Sequence, residues 1–215
     1  MPSNQFAPYD QLARQLLLAA HTAEDGAHDI SHLERVWSNA KTIQQAEGGD
    51  LELLAASVLL HDCVQVPKNS PMREMASRLA ATEARTLLAA LNWEADRIQH
   101  VADAIESHSF SAGITPKTRE ARILQDADRL DAIGLTGIAR CFYTAGRMGS
   151  ALYDARDPRG VSRPLDDLRF ALDHFPKKLL TLVDGFKTAE GQRLAHIRQR
   201  SLQAFYDGML AEVSS

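Results

Sequence analysis

Apolar residues recur at intervals of three and four along almost the whole chain, and no clean two-residue alternation interrupts them. Leu12, Leu16, Leu17 and Ala20 form one such stripe, and Leu33, Val36, Ala40 and Ile43 form the next. This spacing gathers side chains on one face of a helix, whereas a half-buried strand needs an apolar residue at every second position. The chain is therefore expected to be all-α. With 215 residues, 45% hydrophobic and 24% charged, it can bury roughly 70% of the surface its unfolded form exposes. A single compact helical domain over residues 1–215 is expected, with no internal repeat and no linker to divide it.

Capping and turn residues set the expected limits of the helices. Ser31-His32-Leu33-Glu34 has the form of a capping box, in which the serine accepts from the backbone at Glu34 and the glutamate reaches back, so that His32 lies in a first helical turn. Asp50 can cap a helix from Leu51 to Leu60, which His61 and Asp62 close. Pro67 and Pro71 bracket a loop from Val66 to Met72, after which Glu74 to Leu91 and about Glu94 to Ser107 resume helical spacing. The apolar face of the latter is Ile98, Val101, Ala102 and Ile105, and His108 falls on the same side. Arg119 to Phe142 reads as one helix carrying a row Leu124, Asp128, Asp131 and Leu135. A row mixing carboxylates with leucines belongs at the margin of a core, facing an enclosed polar cleft. From Tyr143 to Asp166 the spacing breaks, and the segment carries Arg147, Arg156, Arg159 and Arg163. Loops of this length are uncommon unless functional, so it is expected to order over a substrate. Two or three helices are expected between Asp167 and Val213, packing on a core formed by about residues 26–141.

The formal charge of -4 lacks the basic excess of a dedicated duplex binder, which speaks against a stable nucleic-acid complex. No apolar stretch long enough to span a bilayer and no signal-like start is found, so no membrane partner and a cytoplasmic location are expected. The two cysteines, Cys63 and Cys141, do not make a disulfide framework and are expected free.

Four residues stand apart from propensity: His32, the adjacent pair His61-Asp62, and Asp128 within Ala127-Asp128-Arg129-Leu130-Asp131. Two neutral imidazoles and two carboxylates form a ligand set that suits a borderline or hard divalent ion. Adjacent helical residues point about 100° apart, so His61 and Asp62 can serve one ion only where a helix ends. Asp126 lies on another azimuth and is left out of the set. A second pair, His28-Asp29, precedes the capping box and is expected to staple the lead-in loop, with Asp29 supporting His32 from behind.

The order His32, His61-Asp62, Asp128 resembles the HD superfamily of metal-dependent phosphohydrolases, over about Gly26 to Cys141. The resemblance implies a helical domain in which His32, His61, Asp62 and Asp128 hold one divalent ion (Mn, Mg, or another transition metal such as Ni, Co or Fe). Such an ion takes up a phosphate oxygen and lowers the pKa of a water, and Asp62 could orient that water. Asp131, the next member of the Asp128 row, is a candidate for fixing a ligating histidine or a water, or else for pairing with Arg122 or Arg129. Lys68, Asn69 and Arg73 follow the His-Asp pair and are candidate phosphate contacts. His108 and Ser109 are candidates at the cleft, with His108 either a proton donor to the leaving phosphate or a plain helix-terminal histidine. Some nucleotide-cleaving branches carry a Glu-Asp pair soon after the His-Asp pair, where this chain has Cys63-Val64-Gln65-Val66. The stretches His61-Asp62-Cys63-Val64, Glu106-Ser107-His108-Ser109-Phe110 and Gln125 to Gly134 look more like a compact bacterial branch that includes nucleoside triphosphate pyrophosphatases. The expected substrate is a nucleotide or other small phosphorylated metabolite, with a homodimer compatible with the fold. Phosphomonoester hydrolysis, cleavage of a cyclic or alarmone nucleotide, a noncatalytic HD domain, and a two-metal oxygenase drawing on Glu106 and His108 are the alternatives.

Overall fold

A computed structural model describes residues 5–19, 29–64, 66, 72–109 and 112–213, without the side chains of Ala19 and Arg73. The elements among the described residues are helical, joined by one isolated bridge between Ala151 and Phe170. No described helix is long and apolar enough to cross a membrane. Cys63 and Cys141 are both free thiols. The chain divides into two compact units, residues 1–128 and 129–215.

The first unit contains α1 (Asp10–Ala19), α2 (Ile30–Glu47), α3 (Leu51–Leu60), α4 (Ala76–Ala90), α5 (Ala95–His108) and most of α6 (Arg119–Asp131). Its organisation follows from α3. Residues 53–60 are buried on every side, and a helix apolar all round must be enclosed by others. It packs against α1, α2, α4 and α5. Asp50 caps it as expected, its carboxylate accepting from the backbone of Glu52 and Leu53 at 2.8 and 3.0 Å. Arg97 near the start of α5 donates to the Asp50 and Glu52 carboxylates at 3.0 and 2.7 Å. Glu120 in the first turn of α6 accepts from the Asp50 amide at 2.8 Å. The starts of α3, α5 and α6 are thus pinned together, and the three run in the same direction. Their far ends carry His61-Asp62, His108 and Asp128.

Helix α2 runs the other way. Gln44 near its end donates to Gly49 beside the start of α3, which puts His32, in its first turn, at the opposite end with the others. The expected capping box is not formed. Asp29 is the cap, accepting from the backbone of Ser31 and His32 at 3.0 and 3.3 Å and from the Ser31 hydroxyl at 2.6 Å. A carboxylate is the stronger acceptor, and it draws the serine into the helix as a donor.

The second unit holds α7 (Gly134–Met148), the short α8 (His174–Lys177) and the long α9 (Ala189–Val213), with 3-10 turns at Ala171–Asp173 and Leu179–Gly185. Helices α7 and α9 pack together around an aromatic cluster in which Phe175 lies 6.1 Å from Phe142, 5.7 Å from Phe205 and 5.6 Å from Tyr206. The single helix expected over residues 119–142 is two. Ile133 is extended and Gly134 has φ +72°, a conformation that favours glycine. A Cβ there would also meet the Arg198 side chain at 3.1 Å. Nor does the helical run stop at Tyr143: α7 continues to Met148 and ends on Gly149 in the left-handed region.

Candidate metal centre

Because α3 is enclosed, its last turn delivers His61 into the interior, where the side chain has no exposed surface. The ring is fixed by its own helix. Nδ1 lies 2.7 Å from the Val58 carbonyl three residues back, and since a carbonyl can only accept, Nδ1 carries the proton and Nε2 presents a lone pair. His108 repeats the device at the end of α5, with Nδ1 at 2.6 Å from the Ile105 carbonyl. Both Nε2 atoms are left for the cleft.

The Nε2 of His61 meets the Nε2 of His32 at 3.2 Å. Asp62 Oδ2 lies 3.8 Å from the His32 nitrogen and 3.6 Å from that of His61. Asp128 Oδ1 lies 3.6 and 3.9 Å from the same two atoms. His32 and His61 thus both face the carboxylates of Asp62 and Asp128. Donors about 2.1 Å from a shared ion stand about 3.0 Å apart at right angles and up to about 4.2 Å apart across it, so every one of these separations fits a common cation. One proton can close the contact between the two imidazoles, and the flanking carboxylates face the same nitrogens. The ends of α3, α5 and α6 add the negative ends of their dipoles. Among the described residues no lysine or arginine pairs with Asp62 or Asp128. His32, His61 and Asp128 form a group that could hold a divalent ion.

Asp62 has a second face. Its Oδ1 lies 3.8 Å from His108 Nε2, and the His108 ring stands edge-on to that of His61 at 4.9 Å. His61, Asp62 and His108 form a second donor group, which shares His61 with the group of His32, His61 and Asp128. The histidines are buried, while Asp62 and Asp128 keep 38% and 27% of their side-chain surface open, so the carboxylates form the accessible side.

Burial pushes the His61 imidazole below its ordinary value, and the nearby Asp62 and Asp128 charges only partly oppose this. Burial also works against the charged form of His108, but its contact with Asp62, the Asp128 charge and the Ile105 carbonyl raise it overall. For Asp62, burial pushes the carboxyl up, yet His61, His108 and His32 hold it well below the usual carboxylate range. The surroundings thus favour a neutral His61 and an ionised Asp62. Cys63, next along the chain, is pushed up to about 12 by burial and by the Glu83 and Asp62 charges, which removes it as a nucleophile.

The other expected site residues are placed as follows. Asp29 holds His32 through its backbone amide at 3.3 Å. Asp131 accepts from Arg140 at 2.7 Å, a partner that sequence reading did not name. Ser109 is the half-buried, extended residue that ends α5. Arg73 opens the 3-10 turn Arg73–Met75, while Lys68 and Asn69 lie outside the described residues. Two residues were missed: Asn39 and Gln125, buried carboxamides that donate to Ala127 and Ser107. The available signal was a carboxamide at a core position, seven residues after His32 in one case and three before Asp128 in the other.

The HD domain family model matches residues 29–133. The protein YpgQ of Bacillus subtilis is 31% identical over 185 residues, covering 86% of this chain and 83% of that protein. Its crystal structure in complex with ADP superposes with a TM-score of 0.71 at 29% identity, over 95% of this chain and 97% of YpgQ. A crystal structure of an HD-superfamily hydrolase from Bacillus thuringiensis gives a TM-score of 0.69 at 28% identity, over 96% and 98% of the two chains.

Proposed function

This chain belongs to the HD superfamily of metal-dependent phosphohydrolases, and from that premise we propose that it hydrolyses nucleoside triphosphates to the monophosphate and pyrophosphate. The observation that carries the nucleotide reading is the ADP complex of YpgQ, whose chain aligns with nearly all of this one. His32, His61, Asp62 and Asp128 would hold the divalent ion, manganese being a good match for two imidazoles and two carboxylates. When bound, it would polarise a phosphoryl oxygen and acidify a water.

The chain's own groups do the rest. The Val58 carbonyl keeps the His61 proton on Nδ1 and its Nε2 lone pair inward. Asp62 spends Oδ2 on the imidazoles and turns Oδ1 toward His108, so the attacking water can be oriented by a carboxylate whose other oxygen is already committed. His108, whose Nε2 faces Asp62 Oδ1 at 3.8 Å, is placed to give a proton to the departing phosphate oxygen. Ser109, Lys68, Asn69 and Arg73 supply donors and positive charge for the polyphosphate. Asp131 braces α6 behind Asp128.

Phosphorus NMR of products from ATP and deoxynucleoside triphosphates with Mn2+ tests the reading. The expected products are monophosphate and pyrophosphate in equal amounts. Orthophosphate with a diphosphate would overturn it in favour of cleavage of the terminal phosphoanhydride, and turnover of monophosphates alone would overturn it in favour of phosphomonoester hydrolysis.

A further inference from the structure

Two buried carboxamides sit on helices that carry the centre, and each donates to a backbone carbonyl. Asn39 on α2 donates through Nδ2 to the Ala127 carbonyl at 3.0 Å. Gln125 on α6 donates through Nε2 to the Ser107 carbonyl at 2.7 Å. Each carbonyl belongs to a peptide bond that leads into a site residue: Ala127 into Asp128, and Ser107 into His108. A side-chain donor on that oxygen fixes the plane from which the site residue's Cα projects. Asp29 does the equivalent for His32 by accepting from its amide.

We propose that Asn39 and Gln125 are positioning residues with separate tasks, Asn39 setting Asp128 against His32 for metal binding and Gln125 setting His108 against Asp62 for turnover. The division follows from the helices joined. Asn39 bonds α2 to α6, which carry two members of the metal set and not His108. Gln125 bonds α6 to the end of α5, which carries His108 and no member of that set. Stability alone gives little reason for Gln125: it is 1% exposed, and its Oε1 has no hydrogen-bond partner among the described residues. A buried acceptor left so is a cost that an apolar residue of the same length would remove. Retaining a carboxamide there is explained by what its Nε2 holds in place.

The inference rests on the metal-dependent phosphohydrolase reading, and the test separates the two. Asn39→Leu and Gln125→Met keep volume and remove the donor. Groups behind a metal or catalytic residue change affinity or activity by about ten- to a hundredfold when removed. Asn39→Leu is expected to weaken Mn2+ binding, measured by calorimetry, by about tenfold or more, with kcat on ATP at saturating Mn2+ within about threefold of the parent. Gln125→Met is expected to leave Mn2+ affinity and melting temperature unchanged or raised, while kcat falls about tenfold or more with little change in KM. In nitrogen-15 spectra of the metal-free proteins at one pH, the His108 Nε2 signal should move in Gln125→Met and stay in Asn39→Leu. If the parent releases no pyrophosphate, the functional reading falls, and Mn2+ affinity and the imidazole signals still decide this inference. Variants that lose the same property to the same degree, or a Gln125→Met protein with parental kcat and an unmoved His108 signal, would overturn it. Should Asn39→Leu fail to fold, Asn39→Ala carries the same expectation.

Discussion

Two polar clusters in this protein both gather aspartates and resolve their charge in opposite ways. In the segment after α7, Arg163 donates to both oxygens of Asp173, at 2.5 and 2.9 Å, and pairs with Asp154 at 3.2 Å. Asp157 accepts from the Val161 and Ser162 backbone and from the Ser162 hydroxyl at 3.1, 2.7 and 2.8 Å. Anion and cation both come from the chain, and the cluster closes on itself. At the metal centre three imidazoles and two carboxylates meet with no lysine or arginine paired to either acid among the described residues. A cluster that brings its own counter-charge is architecture; one that aims donors at a common point and omits the cation is shaped for something the chain does not encode.

The sharpest way to break this contrast is to remove a donor from the open cluster. His61→Ala and Asp128→Ala should each abolish most metal binding and nearly all hydrolysis while the helical circular dichroism stays at the parental level, since the ion supplies charge neutralisation and water activation together. Elemental analysis of the purified variants, read with turnover, checks it. Parental occupancy and rate in either would remove that residue from the ligand set. The closed cluster should respond the other way. Arg163→Met removes the cation paired with Asp173, which is 2% exposed and would be left with the Asp166 amide at 2.7 Å, so the variant should be less stable. Denaturant unfolding should show that loss while Mn2+ affinity is kept. A variant as stable as the parent but poor in metal would mean that the Arg163 cluster serves the centre.

The smallest expected effect concerns pH in the metal-free protein. His108 is raised above its ordinary 6.5, so its contribution to stability is full below about 6.5 and fades as pH rises through the raised value. His61, lowered below 6.5, contributes in the reverse sense, its penalty disappearing as pH rises through the lowered value. Above about 6.5 the His108 effect is the one still changing of these two. Melting curves from pH 6.5 to 8.5 should therefore decline in the parent relative to His108→Gln; parallel curves would show that Asp62 does not hold the proton there.

What could be read from the sequence was what depends on chemistry local to a few residues. His61-Asp62 at a helix end, Asp50 as a cap and the apolar stripes were legible because a side-chain type and a spacing suffice to specify each. The break at Gly134 was not, because Leu130, Ile133 and Ile138 continue the apolar pattern across it while the backbone leaves the helix at Ile133 and Gly134. At the start of α2 both Asp29 and Ser31 could cap, and the choice turned on relative acceptor strength. Asn39 and Gln125 escaped notice because their partners are backbone carbonyls 88 and 18 residues away, and a carbonyl leaves no mark in a sequence.

The bonds from His61 and His108 to the carbonyls three residues behind them have one more consequence. A helix ends with carbonyls that lack an amide to receive, and here two of them are used to orient rings. Completing the last turns of α3 and α5 and selecting the imidazole tautomers are thus a single event. The rotational freedom of those rings is given up during folding, before any ion arrives, so that capture of the ion need not order them again.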